Sequence, residues 1–137
     1  MYPSLAGKRA LVLGGSRGIG RAIALRLAAE GVHVLVNYAR SADAAEATAA
    51  DCRALGVESE AIAGDVGDAA ELAAVFERVK SWGGLDILVN NAARGLERPR
   101  PALEQKPLHL HRTMDVNLFG PWQAAQAGTP TASTPLS

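Results

Sequence analysis

Apolar residues along this chain fall into short unbroken runs that alternate with longer stretches in which they recur every third or fourth position. Arg9 to Leu13 is a run that ends in Gly14 and Gly15, which predicts a buried strand breaking into a turn. From Gly18 the spacing changes to Ile19, Ile23 and Leu27, one face of a helix that Gly31 closes. Val32 to Val36 predicts a second strand, Ser41 a cap for an Ala-rich helix that ends at Gly56, and Glu58 to Ala63 a weaker third strand. Asp68 with Glu71 has the form of a capping box, and Leu72, Val75, Phe76 and Val79 continue it at helical spacing. Leu85 to Val89 predicts a fourth strand, followed by a polar loop from Arg94 to Pro107 and a fourth helix carrying Leu110, Met114 and Leu118.

Strands alternating with helices of this length predict βαβ units. The expected fold class is α/β: a Rossmann-like, doubly wound parallel sheet, incomplete at about four strands and four helices. One domain is expected over residues 1–126. Residues 127–137, rich in proline and small polar side chains, are expected to form a disordered tail. Without a strand beyond the fourth, that strand forms a sheet edge open to self-association or to a partner chain.

Composition narrows the function. Lys plus Arg balance Asp plus Glu at 14 each, with no block of like charge, so neither nucleic acid nor a polybasic membrane patch is expected. The apolar runs fall far short of the ~20 residues of a membrane helix, and the first residues do not resemble a secretory signal. A cytoplasmic setting is expected. Cys52 is the only cysteine and reads as a small packing residue; no metal site is expected. His33, His109 and His111 read as surface or packing residues.

The chemistry concentrates in Gly14-Gly15-Ser16-Arg17-Gly18-Ile19-Gly20, between the first strand and the first helix. There the helix dipole and backbone N–H groups can hold a pyrophosphate, and glycine lets phosphate approach the main chain. A site that prefers NAD usually ends its second strand with an acid that bonds the ribose 2′-hydroxyl. This chain reads Val36-Asn37-Tyr38-Ala39-Arg40 at that point. A 2′-phosphate would meet Arg17 and Arg40 with no carboxylate to repel it, so NADP(H) is the expected cofactor. Taken singly, either arginine also reads as a solvated surface residue.

The G-x-x-x-G-x-G spacing resembles the short-chain dehydrogenase/reductase family. So do Asp65-Val66, Asn90-Asn91-Ala92-Ala93, and Asn117 within Met-Asp-Val-Asn-Leu-Phe-Gly. The resemblance runs from residue 5 to about 126. It implies that Asp65 and Val66 meet the adenine and that Asn90 to Ala93 both stabilise the central sheet and line the ribose and nicotinamide side. Ala93 replaces the family's glycine, where alanine tolerates positive φ less well. It further implies that Asn117 is the active-site asparagine that holds a water in the proton relay. Pro121, four residues on, has no N–H to offer the Asn117 carbonyl, which can then bind that water; Gly120-Pro121 also reads simply as a helix bend. Asn37-Tyr38-Ala39-Arg40-Ser41 and Asn-Asn-Ala-Ala followed by Arg98-Pro99 are similar to the NADPH-dependent enoyl-acyl-carrier-protein reductases (FabL type) of fatty-acid biosynthesis. Related 3-oxoacyl reductases share most of these positions.

In that family a tyrosine in Tyr-x-x-x-Lys donates the proton, and the lysine lowers its pKa. Tyr2 and Tyr38 are the only tyrosines here, and neither is followed by lysine at the fourth position. The chain is therefore expected to be a truncated member that keeps the cofactor-binding half and is inactive alone. Its full-length relatives would act on an acyl thioester or other small carbonyl substrate. The competing expectation is a non-catalytic nucleotide-binding or interaction protein derived from the same family.

Overall fold

The computed structural model describes residues 5–92 together with His111, Ala124 and Ala125. In chain order the elements are β1 (Arg9–Leu13), α1 (Gly18–Ala29), β2 (His33–Tyr38), α2 (Ala42–Ala54), β3 (Ser59–Ala63), α3 (Ala69–Trp82) and β4 (Ile87–Asn90). The strands form one sheet in the order β3-β2-β1-β4, and each neighbouring pair is parallel. This is the expected α/β doubly wound arrangement. The succession reverses direction at β1, which opens a crevice at the carboxyl ends of the strands.

Period-two alternation in the strands sorts the core into two layers. Ala10, Val12, Val34 and Val36 face one way and pack with Ala24 and Ala28 of α1 and with Ala45, Ala49 and Cys52 of α2. Leu11, Leu13 and Leu35 face the other way and pack with Leu72, Val75, Phe76 and Val79 of α3. Alanines on α1 and α2 let both helices lie close to the sheet and to each other, whereas the bulk on the α3 face comes from Leu and Phe. Each fully buried Leu or Val contributes ~1.5–3 kcal/mol. Ala10 to Leu13 of β1 and Val34 to Val36 of β2 are all fully buried, so these two strands are the main source of stability. Cys52 is buried on α2, and desolvation pushes its thiol pKa up. It behaves as the packing residue expected of it.

The boundaries depart from expectation in instructive places. β2 runs on through Asn37 and Tyr38 because both continue the ladder with Ile62 and Ala63 of β3. β4 begins at Ile87 rather than Leu85, since Asp86 first bridges to β1: its N–H donates to the Arg9 carbonyl (2.8 Å) and its carboxylate accepts from the Arg9 N–H (2.9 Å). Asp68 caps α3 by accepting from the Ala70 and Glu71 N–H groups at 2.9 and 3.1 Å. The reciprocal half of the box is absent, because Glu71 accepts from the Asp65 N–H instead. Ser41 stands at the N-cap of α2 but makes no capping bond with its side chain.

The fourth helix lies outside the described residues apart from His111, Ala124 and Ala125, which are helical, with His111 exposed and Ala124 buried in the α3-side core. The tail expected at 127–137 also lies outside them.

Asp68→Ala removes the only side-chain cap on α3 and should cost about 1 kcal/mol in urea unfolding. Ser41→Ala removes no cap and should change stability by less than about 0.5 kcal/mol.

Candidate functional site

The carboxyl ends of all four strands converge on a cleft of about 530 Å³. The turn after β1 contributes Gly14, Ser16 and Arg17; the end of β2 contributes Asn37 to Ser41; the turn after β3 contributes Gly64, Asp65 and Val66; and the segment after β4 contributes Asn91 and Ala92.

The glycines of the first turn are needed for different reasons. Gly14 sits at φ +74°, and a Cβ there would lie 2.8 Å from the Ala92 Cα. A Cβ on Gly20 would lie 2.1 Å from the Gly14 carbonyl oxygen, so only glycine lets α1 start this close to the end of β1. Gly18, at φ +60°, has open space where its Cβ would be.

Two asparagines hold this turn. Asn37 is only 2% exposed. Its Oδ1 accepts from the Gly14 N–H at 3.3 Å, while its Nδ2 donates to the carbonyls of Gly64 (3.0 Å) and Ile62 (3.3 Å). Asn91 donates from Nδ2 to the Gly14 carbonyl at 3.0 Å. Both were expected at the cofactor; the structure puts both at the cleft, with the Asn37 amide joining Gly14 to the end of β3 and the Asn91 amide directed to the Gly14 carbonyl.

At the helix end of the turn, Arg17 is the N-cap residue of α1 and makes no side-chain cap, and no acid occupies the first turn. The N–H groups at the start of α1 therefore keep their partial positive charge. The Arg17 guanidinium reaches across the cleft mouth to the Ser41 hydroxyl at 2.6 Å. Arg40 is exposed, and neither arginine meets a carboxylate among the described residues. Asp65 uses Oδ1 to accept from the Gly67 N–H at 2.8 Å, a local turn that fixes its carboxylate beside Val66.

Of the remaining expected residues, Gly18, Ile19 and Gly20 form the start of α1 next to the cleft-lining Arg17 but do not themselves line the cleft, and Ile19 is exposed. Asn90 ends β4 opposite Leu13 and does not line the cleft. Ala93 and Asn117 lie outside the described residues. Ala39, Ser41 and Gly64 line the cleft without having been singled out as site residues. Gly64 had a legible signal, a glycine between a strand and an acid; a Cβ there would lie 2.5 Å from Val75 Cγ2.

A parallel sheet whose first strand feeds a glycine turn and a helix amino terminus defines a Rossmann-type nucleotide-binding protein. Comparison with known proteins narrows the class. The short chain dehydrogenase family model matches residues 8–134, and the chain belongs to that family. It is 47% identical over 124 residues to the 3-oxoacyl-[acyl-carrier-protein] reductase FabG of Staphylococcus aureus (strain N315), covering 90% of this chain and 50% of that protein. It is 38% identical over 122 residues to the tetrahydroxynaphthalene reductase PfmaG of Pestalotiopsis fici, covering 88% and 43%. Among solved structures, a short chain dehydrogenase from Burkholderia cenocepacia J2315 in complex with NADP superposes with a TM-score of 0.82 at 42% identity, covering 90% of this chain and 50% of that one. The promiscuous reductase LugOII superposes at 0.84 with 36% identity, covering 93% and 55%. The chain thus spans about half the length of the curated relatives it matches.

Asn37→Leu leaves the Gly14 N–H and the Gly64 carbonyl without the side-chain partner they have now, at ~1–3 kcal/mol each. It should lower the unfolding free energy by at least about 2 kcal/mol in urea, a loss that an unchanged denaturation midpoint would contradict.

Proposed function

We propose that this chain carries the NADP(H)-binding part of a cytoplasmic carbonyl reductase. The observation that carries the reading is the uncapped, acid-free amino terminus of α1, which opens onto a cleft whose far rim holds Arg40 and whose mouth is spanned by Arg17. The residues fit a dinucleotide on three counts. Gly18 leaves open space beside the first turn of α1; the two guanidiniums have no carboxylate partner among the described residues; and Asp65 with Val66 lies further along the same cleft.

In this reading the N–H groups from Ser16 to Gly20 hold the pyrophosphate, and Gly14 keeps the main chain close to it. Arg17 and Arg40 hold the 2′-phosphate, with Tyr38 beside them; Asp65 and Val66 flank the adenine, and Asn90 to Ala93 border the ribose and nicotinamide side. Asn117 is the active-site asparagine. The dinucleotide supplies a hydride from its reduced nicotinamide. The substrate class is a 3-oxoacyl thioester or a similar carbonyl, which the names of the relatives favour over an enoyl thioester. Without Tyr-x-x-x-Lys among its residues, the chain alone binds cofactor and does not turn over substrate.

The test is a fluorescence titration with NADPH and NADH. NADPH should bind roughly 10-fold or more tighter, since one charge-assisted bond to the 2′-phosphate is worth ~1.5–3 kcal/mol and 1.4 kcal/mol is tenfold. Arg17→Ala and Arg40→Ala should each erode that preference and leave NADH binding within about twofold. Equal affinity of the wild type for the two cofactors would overturn the assignment of the arginines.

A further inference from the structure

A buried polar group on α2 has no role in the site as described so far. Thr48 is fully buried in a helix face otherwise made of Ala45, Ala49 and Cys52. Its hydroxyl lies 3.2 Å from the Ser16 carbonyl of the glycine loop and 3.1 Å from the Ala44 carbonyl one turn back. It also accepts from Arg21 Nη1 at 3.0 Å, and Arg21 is in turn paired with Asp51. A threonine hydroxyl has one proton, so the loop carbonyl and the helix carbonyl compete for it. The guanidinium occupies the oxygen's acceptor side, polarising the O–H and directing the proton away from itself.

We propose that Thr48 is a positioning residue for the phosphate loop, with Arg21 and Asp51 as its support. The peptide between Ser16 and Arg17 is trans and planar, so its N–H points opposite to its carbonyl. Holding the Ser16 carbonyl toward α2 therefore turns the Arg17 N–H away from α2. Among the described residues no acceptor takes that N–H, which remains available at the cleft. The N-cap residue of the same helix, Ser41, receives the Arg17 guanidinium. Thus α2 fixes both the main chain of the loop, through Thr48, and its charged side chain, through Ser41. The phosphate loop and the arginine rim are held in register by one rigid element. Apolar packing alone would call for valine at position 48; the hydroxyl is there for the loop.

The inference rests on the cofactor reading above, and two readouts separate them. Thr48→Val keeps the shape and removes the hydroxyl, while Thr48→Ser keeps the hydroxyl. Loop tethering predicts that, without cofactor, hydrogen exchange at Gly15 and Arg21, the amides on either side of the loop that bond the Asn37 and Arg17 carbonyls, quickens roughly fivefold in Thr48→Val and stays near wild type in Thr48→Ser, as expected for loss of one hydrogen bond worth ~1 kcal/mol. It predicts that the NADPH dissociation constant rises about five- to tenfold in Thr48→Val and by less than about twofold in Thr48→Ser. If Thr48→Val failed to fold, Arg21→Gln, at a partly exposed position, should show the same two changes at smaller amplitude. Unchanged loop exchange in Thr48→Val, or equal losses in the Val and Ser variants, would overturn the proposal. A wild-type chain that bound no dinucleotide would overturn the cofactor reading, and loop exchange would still decide whether Thr48 holds the loop.

Discussion

The structure depends on how the chain turns at Gly14. There β1 has to end, reverse the path of the main chain at positive φ and start α1 so close that Gly20 lies against the Gly14 carbonyl. Both polar main-chain groups of Gly14 are half-buried and both are met by asparagine: Asn37 takes the N–H from the β2 side and Asn91 reaches the carbonyl from the β4 side. A glycine turn is entropically expensive to order. Here the cost is offset by two side chains from strands on opposite flanks of β1, so formation of the turn is coupled to formation of the sheet.

Holding the turn in this way determines the electrostatics. The chain is neutral overall, yet the start of α1 has neither a side-chain cap nor an acid, and of the nearby cations Arg17 and Arg40 are left without carboxylate neighbours among the described residues, whereas Arg21 pairs with Asp51. Elsewhere on the described surface arginines do find acids: Arg9 with Glu58, Arg26 with Glu30, Arg53 with Glu46, and Arg78 with Glu60. Positive potential therefore concentrates at the cleft by local arrangement rather than by net charge. Anion recognition in this account needs the backbone of the turn, its two asparagine clamps and the α2 tether together.

Much of this was legible in the residues. The run Arg9 to Leu13, the glycine spacing after it and the i, i+3, i+4, i+7 series of α3 each report a local periodicity that tertiary structure had no reason to override, and they locate the sheet and the turn. Polar side chains were harder, because their partners are distant in sequence. Ser41 has the sequence context of a helix cap, but its hydroxyl binds Arg17, 24 residues away. Asn37 and Asn91 were expected at the cleft and line it, while the direction of their amides depends on a turn that neither adjoins. Thr48 in an Ala-rich helix reads as a weak helix former; its value comes from Ser16, 32 residues back, which no local pattern encodes. Asn117 and Ala93 rest on the family resemblance and lie outside the described residues.

The proposed dinucleotide would sit on the glycine turn and extend to the arginine rim. The most direct measurement follows backbone amide resonances of the isotope-labelled chain as NADPH is added. The largest displacements should fall at Ser16 to Gly20 and at Arg40 and Ser41, with smaller ones at Asp65 and Val66. Undisturbed amides at Ser16 to Gly20, or displacements concentrated along β4, would contradict that placement.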